Sequence, residues 1–150
     1  MIKTIELAPY RRWFRTTLSI AILLIATSIV LVWMQIRPVL EPSSAKLIRN
    51  LLWYGPLFLA LAFTFYLQKQ RQVMVNIADF EARKNFHQSL FRKRLYWCII
   101  STSLACILYW VLAQSFYLYI SLFEIVGVLL SFPHPFIFRR ELQDPEIVFI

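Results

Sequence analysis

Lys69 to Arg94 reads KQRQVMVNIADFEARKNFHQSLFRKR, and its charge decides how the rest of the chain can lie. It holds seven basic residues (Lys69, Arg71, Arg83, Lys84, Arg92, Lys93 and Arg94) against two acidic ones, Asp79 and Glu81. Apolar sequence long enough to enter a bilayer lies on both sides. A segment this cationic resists transfer across hydrocarbon, so it is expected to stay cytoplasmic and to fix the topology of its neighbours. It also reads as helix. Asp79 with Arg83 at i, i+4 and Glu81 with Lys84 at i, i+3 both place the acid N-terminal to the base, the favourable order. Ile77, Phe80, His87 and Phe91 fall on one side of such a helix. The expectation is an interfacial amphipathic helix or cytoplasmic extensions of the flanking helices. His87 is expected at the surface and not as a ligand, because no second ligand residue sits at metal spacing.

Outward from this stretch the chain becomes strongly apolar. It is 59% hydrophobic and only 16% charged, whereas a soluble domain is about a quarter charged. The charges cluster between long uncharged runs, the pattern of a polytopic membrane protein with a single small domain. The net charge of +8 is accounted for by cytoplasmic loops that attract anionic lipid headgroups. No nucleic-acid fold pattern accompanies it, so no nucleic-acid partner is expected.

Residues 1–15 form a basic lead in which Lys3, Arg11, Arg12 and Arg15 alternate with Tyr10, Trp13 and Phe14, a mixture suited to a headgroup anchor. Four spans are expected after it, at about 17–36, 48–68, 95–113 and 116–135, from a length requirement of roughly 20 apolar residues each. The first run is too long for a signal peptide and ends in Trp33-Met34-Gln35 instead of a small-residue cleavage site. Arg37–Asn50, with Pro38, Pro42, Ser43 and Ser44, reads as a turn-forming connector. Gly55-Pro56 lies in the first turns of the second span, where proline is tolerated. The stretch from Leu95 to Phe132, uncharged but for Glu124, is too long for one span and is divided at Ala113-Gln114-Ser115. The fold expected is therefore an all-α integral membrane protein, four transmembrane helices in an antiparallel bundle, both termini cytoplasmic, with a helical basic connector at 69–94 between helices 2 and 3.

Two patterns agree with this threading. Thirteen basic residues fall on the inner side and three, all between Arg37 and Arg49, on the outer, as the positive-inside rule requires. Trp13 and Trp97 fall at the inner boundary and Trp33, Trp53 and Trp110 at the outer one, which suits side chains that prefer the interface.

Glu124 is the single charged side chain deep in a span, and burying it there is costly unless it is protonated, partnered or facing water. By depth its candidate partners are Ser101 and Thr102 on the third helix; Thr27 and Ser28 of the first lie near the middle too. Glu124, Gly127 and Ser131 share one stripe of the fourth helix, and Cys98, Ser101, Thr102 and Ala105 share one of the third. Small residues four apart allow close backbone approach, so the two stripes are expected to face each other with Glu124 bonded across the seam. The alternative is a functional carboxylate in proton coupling. Cys98 and Cys106 lack a metal-ligand or redox spacing and read as small buried apolar side chains. With two glycines in the chain no phosphate-binding loop can form, and no HExxH, GxSxG or Cys/His cluster occurs. No catalytic residue, cofactor or metal is expected. The residues expected at lipid headgroups are Arg11, Arg12, Arg15, Arg92, Lys93, Arg94, Arg139 and Arg140. His134, between Pro133 and Pro135, is expected mainly to help stop the last helix.

Four spans in a small basic chain with one intramembrane glutamate resemble the small multidrug resistance transporters. In that family the essential glutamate lies in the first helix and the helices are rich in glycine. Here the acid is in the last helix, glycine is confined to Gly55 and Gly127, and the basic connector has no counterpart, so transport does not carry over. The ending from Phe132-Pro133 to Arg139-Arg140-Glu141-Leu142 resembles that of small four-helix membrane proteins of Bacteroidota-type bacteria, a likeness of about a dozen residues that implies no activity. The functional expectation is a non-enzymatic, multi-pass inner-membrane protein, an accessory or structural subunit acting through helix–helix contacts with other integral subunits or as a homo-oligomer. The alternatives are an oligomeric proton-coupled transporter or channel using Glu124, and an immunity or modulator protein.

Overall fold

The computed structural model describes residues 3–36, 42–144 and 146–150, and of the side chains in 42–57 only Lys46 and Gly55. The turn expected of Pro38 and the boundary position expected of Trp53 lie outside the described residues. The chain is all-helical apart from two short strands: β1 (Thr4–Ile5), α1 (Ala8–Trp33), α2 (Pro42–Val75), α3 (Phe80–Leu112), α4 (Ser115–Leu130), α5 (Pro135–Leu142) and β2 (Val148–Phe149).

The helices overrun the apolar runs that announce them. Lys, Arg, Gln and Glu are good helix formers, so α1 starts within the basic lead, and α2 and α3 extend from either side into Lys69–Arg94. The connector is therefore two helical extensions and no separate interfacial helix. They meet at a break where Asp79 caps α3, its Oδ2 accepting from the Ala82 amide at 2.9 Å. Pro42 opens α2 and does not sit in a turn, consistent with proline's tolerance at the first helical position. Between α3 and α4 the chain turns at Ala113, whose φ of 50° is left-handed. α4 stops at Leu130, short of the expected 135. Pro133 and Pro135 then redirect the chain, and α5 leaves α4 at 82°. Its last turn holds Arg139 and Arg140, which complement the helix dipole.

α1 and α3 run side by side, α4 packs on both, and α2 lies more sparsely against α3. The buried stripe of α1 is Tyr10, Phe14, Thr17, Ala21, Ile25 and Ser28, stepping three or four residues at a time as one helix face must. Among the described residues, α1 and α3 are long and apolar enough to cross a membrane, and the bent pair α4–α5 makes a third candidate span. The 33 residues of α3 extend about 50 Å at 1.5 Å per residue, well beyond the ~30 Å thickness of a hydrocarbon core.

The largest apolar cluster sits at the end of the bundle where both chain ends meet. Ile5, Leu7, Tyr10, Met74, Phe91, Leu95, Phe138, Leu142 and Ile147 bury one another there, with Trp13, Phe80, Phe86 and Phe149 packed around them. β1 and β2 pair in parallel, Thr4 beside Val148 and Ile5 beside Phe149. Main-chain bonds extend the pairing from Val148 N to Lys3 O at 2.9 Å, Ile150 N to Ile5 O at 3.1 Å and Leu7 N to Ile150 O at 3.1 Å. The two tails, α5 and the α2–α3 junction thus form a cap over the basic end of the bundle.

Candidate functional site

The cap is organised around a buried carboxylate. Glu141 on α5 receives the Nε2 of His87 on α3 at 2.9 Å on one oxygen and Nη1 of Arg94, two helical turns further along α3, at 2.8 Å on the other. His87 is 2% exposed and Glu141 6%. Burial alone would raise the Glu141 pKa, but the His87 hydrogen bond and the Arg94 charge and hydrogen bond together hold it at about 2. His87 Nδ1 is buried with no partner among the described residues. Tyr10, Phe91 and Phe138 wall the site, with the Phe138 ring 4.8 Å from both the Tyr10 and His87 rings. Burial pushes the Tyr10 phenol up to about 12, against a lowering by the Arg92 charge.

A second set of contacts ties the tails to this centre. Lys3 Nζ donates to Asp144 Oδ2 at 2.7 Å, and this hydrogen bond is the main cause holding the Asp144 carboxyl below its ordinary range. Arg83 donates to Ile77 O at 2.9 Å and to Leu142 O at 3.2 Å, joining the α2–α3 junction to the end of α5. Arg139 donates to Ile147 O at 3.2 Å and lies over the Phe149 ring.

Three sequence readings are corrected here. His87 is a core residue and not a surface one, because α5 folds back over it. Arg94 turns inward to Glu141, where an outward, headgroup-facing side chain was expected. Asp79 and Arg83 form no ion pair among the described residues; one caps a helix and the other serves carbonyls. Lys84 does pair with Glu81, at 3.2 Å. The other expected headgroup residues face outward. Arg11, Arg12 and Arg15 line an open cleft of about 690 Å³ beside Pro135, Phe149 and Ile150. The Arg92 guanidinium lies 3.9 Å over the Trp13 ring, Lys93 donates to Tyr66 Oη at 3.0 Å, and Arg140 is exposed.

Deeper in the bundle Ser101 Oγ donates to Glu124 Oε1 at 2.7 Å, joining α3 to α4. Thr102 is fully buried, but its hydroxyl has no partner among the described residues, so of the two candidates only Ser101 reaches the carboxylate. Ala105 and Cys106 are buried on the same helix, and Cys106 Sγ lies 3.6 Å from Ser121 Oγ; Cys98 is half-buried. The far half of the proposed stripe is displaced. A Cβ added to Gly127 would meet nothing within 4 Å, and Ser131 Oγ donates back to Gly127 O at 3.0 Å, so among the described residues this pair mediates no close helix approach. The buried face of α4 is Tyr117, Ser121 and Val128, with Glu124 between them.

Glu141 is thus a carboxylate held on both oxygens and shut away from solvent, a latch between α3 and α5. Among the described residues no three His, Cys, Asp or Glu side chains are grouped to hold a metal. The residues that sequence reasoning missed are Lys3, Glu141 and Asp144, the ionic ties of the tails. Their one signal was the presence of acids near an otherwise basic end. Comparison with known proteins finds no matching family model, no similar curated protein and no similar solved structure.

Proposed function

We propose that the chain is a non-enzymatic inner-membrane protein that threads the bilayer four times, through α1 to α4, with both termini and the capped basic end in the cytoplasm. It serves as an accessory or structural subunit, presenting its helix flanks to other integral subunits or to a second copy and its outward arginines to anionic headgroups. The observation that carries this reading is the distribution of exposed apolar surface. Leu23 and Trp33 on α1, Phe58 and Phe65 on α2, and Phe123 and Leu130 on α4 all point outward and are at least two-thirds exposed. Surface of this kind is stable against lipid or another helix and against nothing aqueous. The Ser101–Glu124 bond supports a binding role for that carboxylate between helices in preference to proton coupling.

Purification in mild detergent tests the assignment. A stoichiometric integral partner, or a defined homo-oligomer, is expected; a lone monomer that performs transport after reconstitution overturns it. Single-cysteine labelling tests the threading in a background lacking Cys98 and Cys106. Glu81→Cys is expected to react from the cytoplasm and Lys46→Cys from the opposite side, and reaction of both from one side refutes four spans.

A further inference from the structure

Two clefts lie on the seam between α1 and α3. The first, about 330 Å³, is lined by Arg12, Trp13, Thr16, Thr17 and Ile20 from α1 and by Arg92, Leu95, Tyr96 and Ile99 from α3. The second, about 220 Å³, is lined by Leu23, Leu24, Thr27, Ser28 and Leu31 from α1 and by Ser103, Cys106, Ile107 and Trp110 from α3. Both helices leave the cap in the same direction, and on each the two sets of lining residues continue at steps of three and four. The clefts therefore follow one another along one side of the seam.

Their chemistry changes along that line. At the cap end stand two guanidinium groups, Arg12 and Arg92, the second fixed over the Trp13 ring at 3.9 Å. Beyond Thr17 no charge lines the groove. Three of its hydroxyls bond within their own helices: Thr27 Oγ donates to Leu23 O at 2.8 Å, Ser28 Oγ to Ile25 O at 2.8 Å and Ser103 Oγ to Ile99 O at 2.7 Å. What the groove offers is apolar. From Thr17 to Leu31 it runs about 21 Å at 1.5 Å per residue, longer than the ~15 Å hydrocarbon depth of one leaflet.

We infer that this seam is a site for one anionic phospholipid, its phosphate held by Arg12 and Arg92 and an acyl chain lying along the groove toward Leu31 and Trp110. This rests on the membrane placement proposed above. Charge complementarity at one end only distinguishes the site from a helix-docking surface, and a guanidinium pair suits a phosphate oxygen better than a neutral headgroup.

The full-length protein in mild detergent, offered dioleoylphosphatidylglycerol or dioleoylphosphatidylcholine, is examined by native mass spectrometry. One retained phosphatidylglycerol is expected, with at least tenfold preference over phosphatidylcholine. The double variant Arg12→Gln/Arg92→Gln loses that preference. Thr27→Trp, which fills the apolar groove without changing charge, weakens retention at least fivefold, while Arg139→Gln/Arg140→Gln leaves it unchanged. Glycerol phosphate, which has the anion and no chain, does not compete. Equal retention of the two lipids, equal loss in both arginine pairs, or indifference to Thr27→Trp overturns the site. Release of the wild-type chain from membranes by alkaline carbonate overturns the membrane placement itself, and so is distinguishable from failure of the lipid site alone.

Discussion

Replacing Glu141 by Gln keeps the shape of the latch and removes its charge. Folding takes this carboxyl from an ordinary pKa of 4.5 to about 2. A fall of that size corresponds to about 3 kcal/mol of stabilisation at neutral pH, in line with the ~3–5 kcal/mol cost of breaking a buried pair. Because the folded pKa is depressed, the contribution is complete above the unfolded value, so it no longer varies with pH above about pH 5. It declines as the pH falls below 4.5 toward 2, where the carboxyl is protonated in both states. The assay is amide hydrogen exchange at Leu7, Val148 and Ile150, whose N–H groups bond between the two tails and report local opening of the cap. In Glu141→Gln their protection is expected to fall about a hundredfold, the equivalent of 3 kcal/mol, or to vanish if the cap itself is less stable than that. Amides in the middle of α1 and α3 keep theirs. Glu146→Gln is the control, since Glu146 lies 3.9 Å from Lys3 and is largely exposed, and a change under threefold is expected. Protection in Glu141→Gln within threefold of wild type would refute the latch.

Ser101→Ala strands Glu124 Oε1 without its donor and is expected to weaken α3–α4 association by about 1 kcal/mol in a detergent unfolding assay, whereas Glu124→Gln, which still accepts from Ser101, stays within about 0.5 kcal/mol. Gly127→Ala should be neutral or stabilising by up to ~1 kcal/mol, because the added methyl meets nothing and helix propensity improves; a loss above 1 kcal/mol would restore the small-residue seam read from the sequence. Phe138→Ala, whose ring meets those of Tyr10, His87, Phe91 and Phe149, is expected to cost about 3–5 kcal/mol, measured by the same exchange reporters, while Phe123→Ala on the outward face of α4 leaves folding nearly unchanged and instead lowers recovery of the partner or oligomer.

Apolar run length and the clustering of Lys and Arg were enough to read an all-helical, membrane-compatible chain, because those signals are local and one-dimensional. Helix ends were less legible. Hydropathy marks where lipid can lie, but α2 and α3 continue for several turns into polar sequence that is itself helix-forming. The cap was hardly legible at all. Its ties join Lys3 to Asp144, His87 to Glu141 and Arg83 to the carbonyl of Leu142, partners 54 to 141 residues apart. No spacing rule reaches that far. His87 was misread because a histidine in a basic helix looks solvated until another element covers it. Gly127 was misread for the opposite reason, since residue size was taken as evidence of contact. Ser101 and Glu124 were found together because depth in a bilayer is a coordinate that sequence does encode.

The placement of the core follows from which solvent each part of the chain meets. Between helices in hydrocarbon, burying apolar surface gains little, because the lipid is as apolar as the partner helix. On the proposed threading, the helices can therefore leave Leu23, Phe65 and Phe123 outward at little cost. On that threading water is met at the ends, and there burial contributes in full, about 25 cal/mol per Å² of apolar surface. The basic end is where both tails and the α2–α3 junction can be gathered, so it is where the aromatic cluster forms and where charged groups are worth pairing. The division has a mechanical consequence. Tyr10, Phe91 and Leu95 fix the starts of α1 and α3 relative to each other and to α5, while a polar tie between the far ends, among the described residues, is Trp110 Nε1 donating to Ile36 O. A lipid bound along the outer seam, as proposed, is then met by helices whose roots are held by the cap.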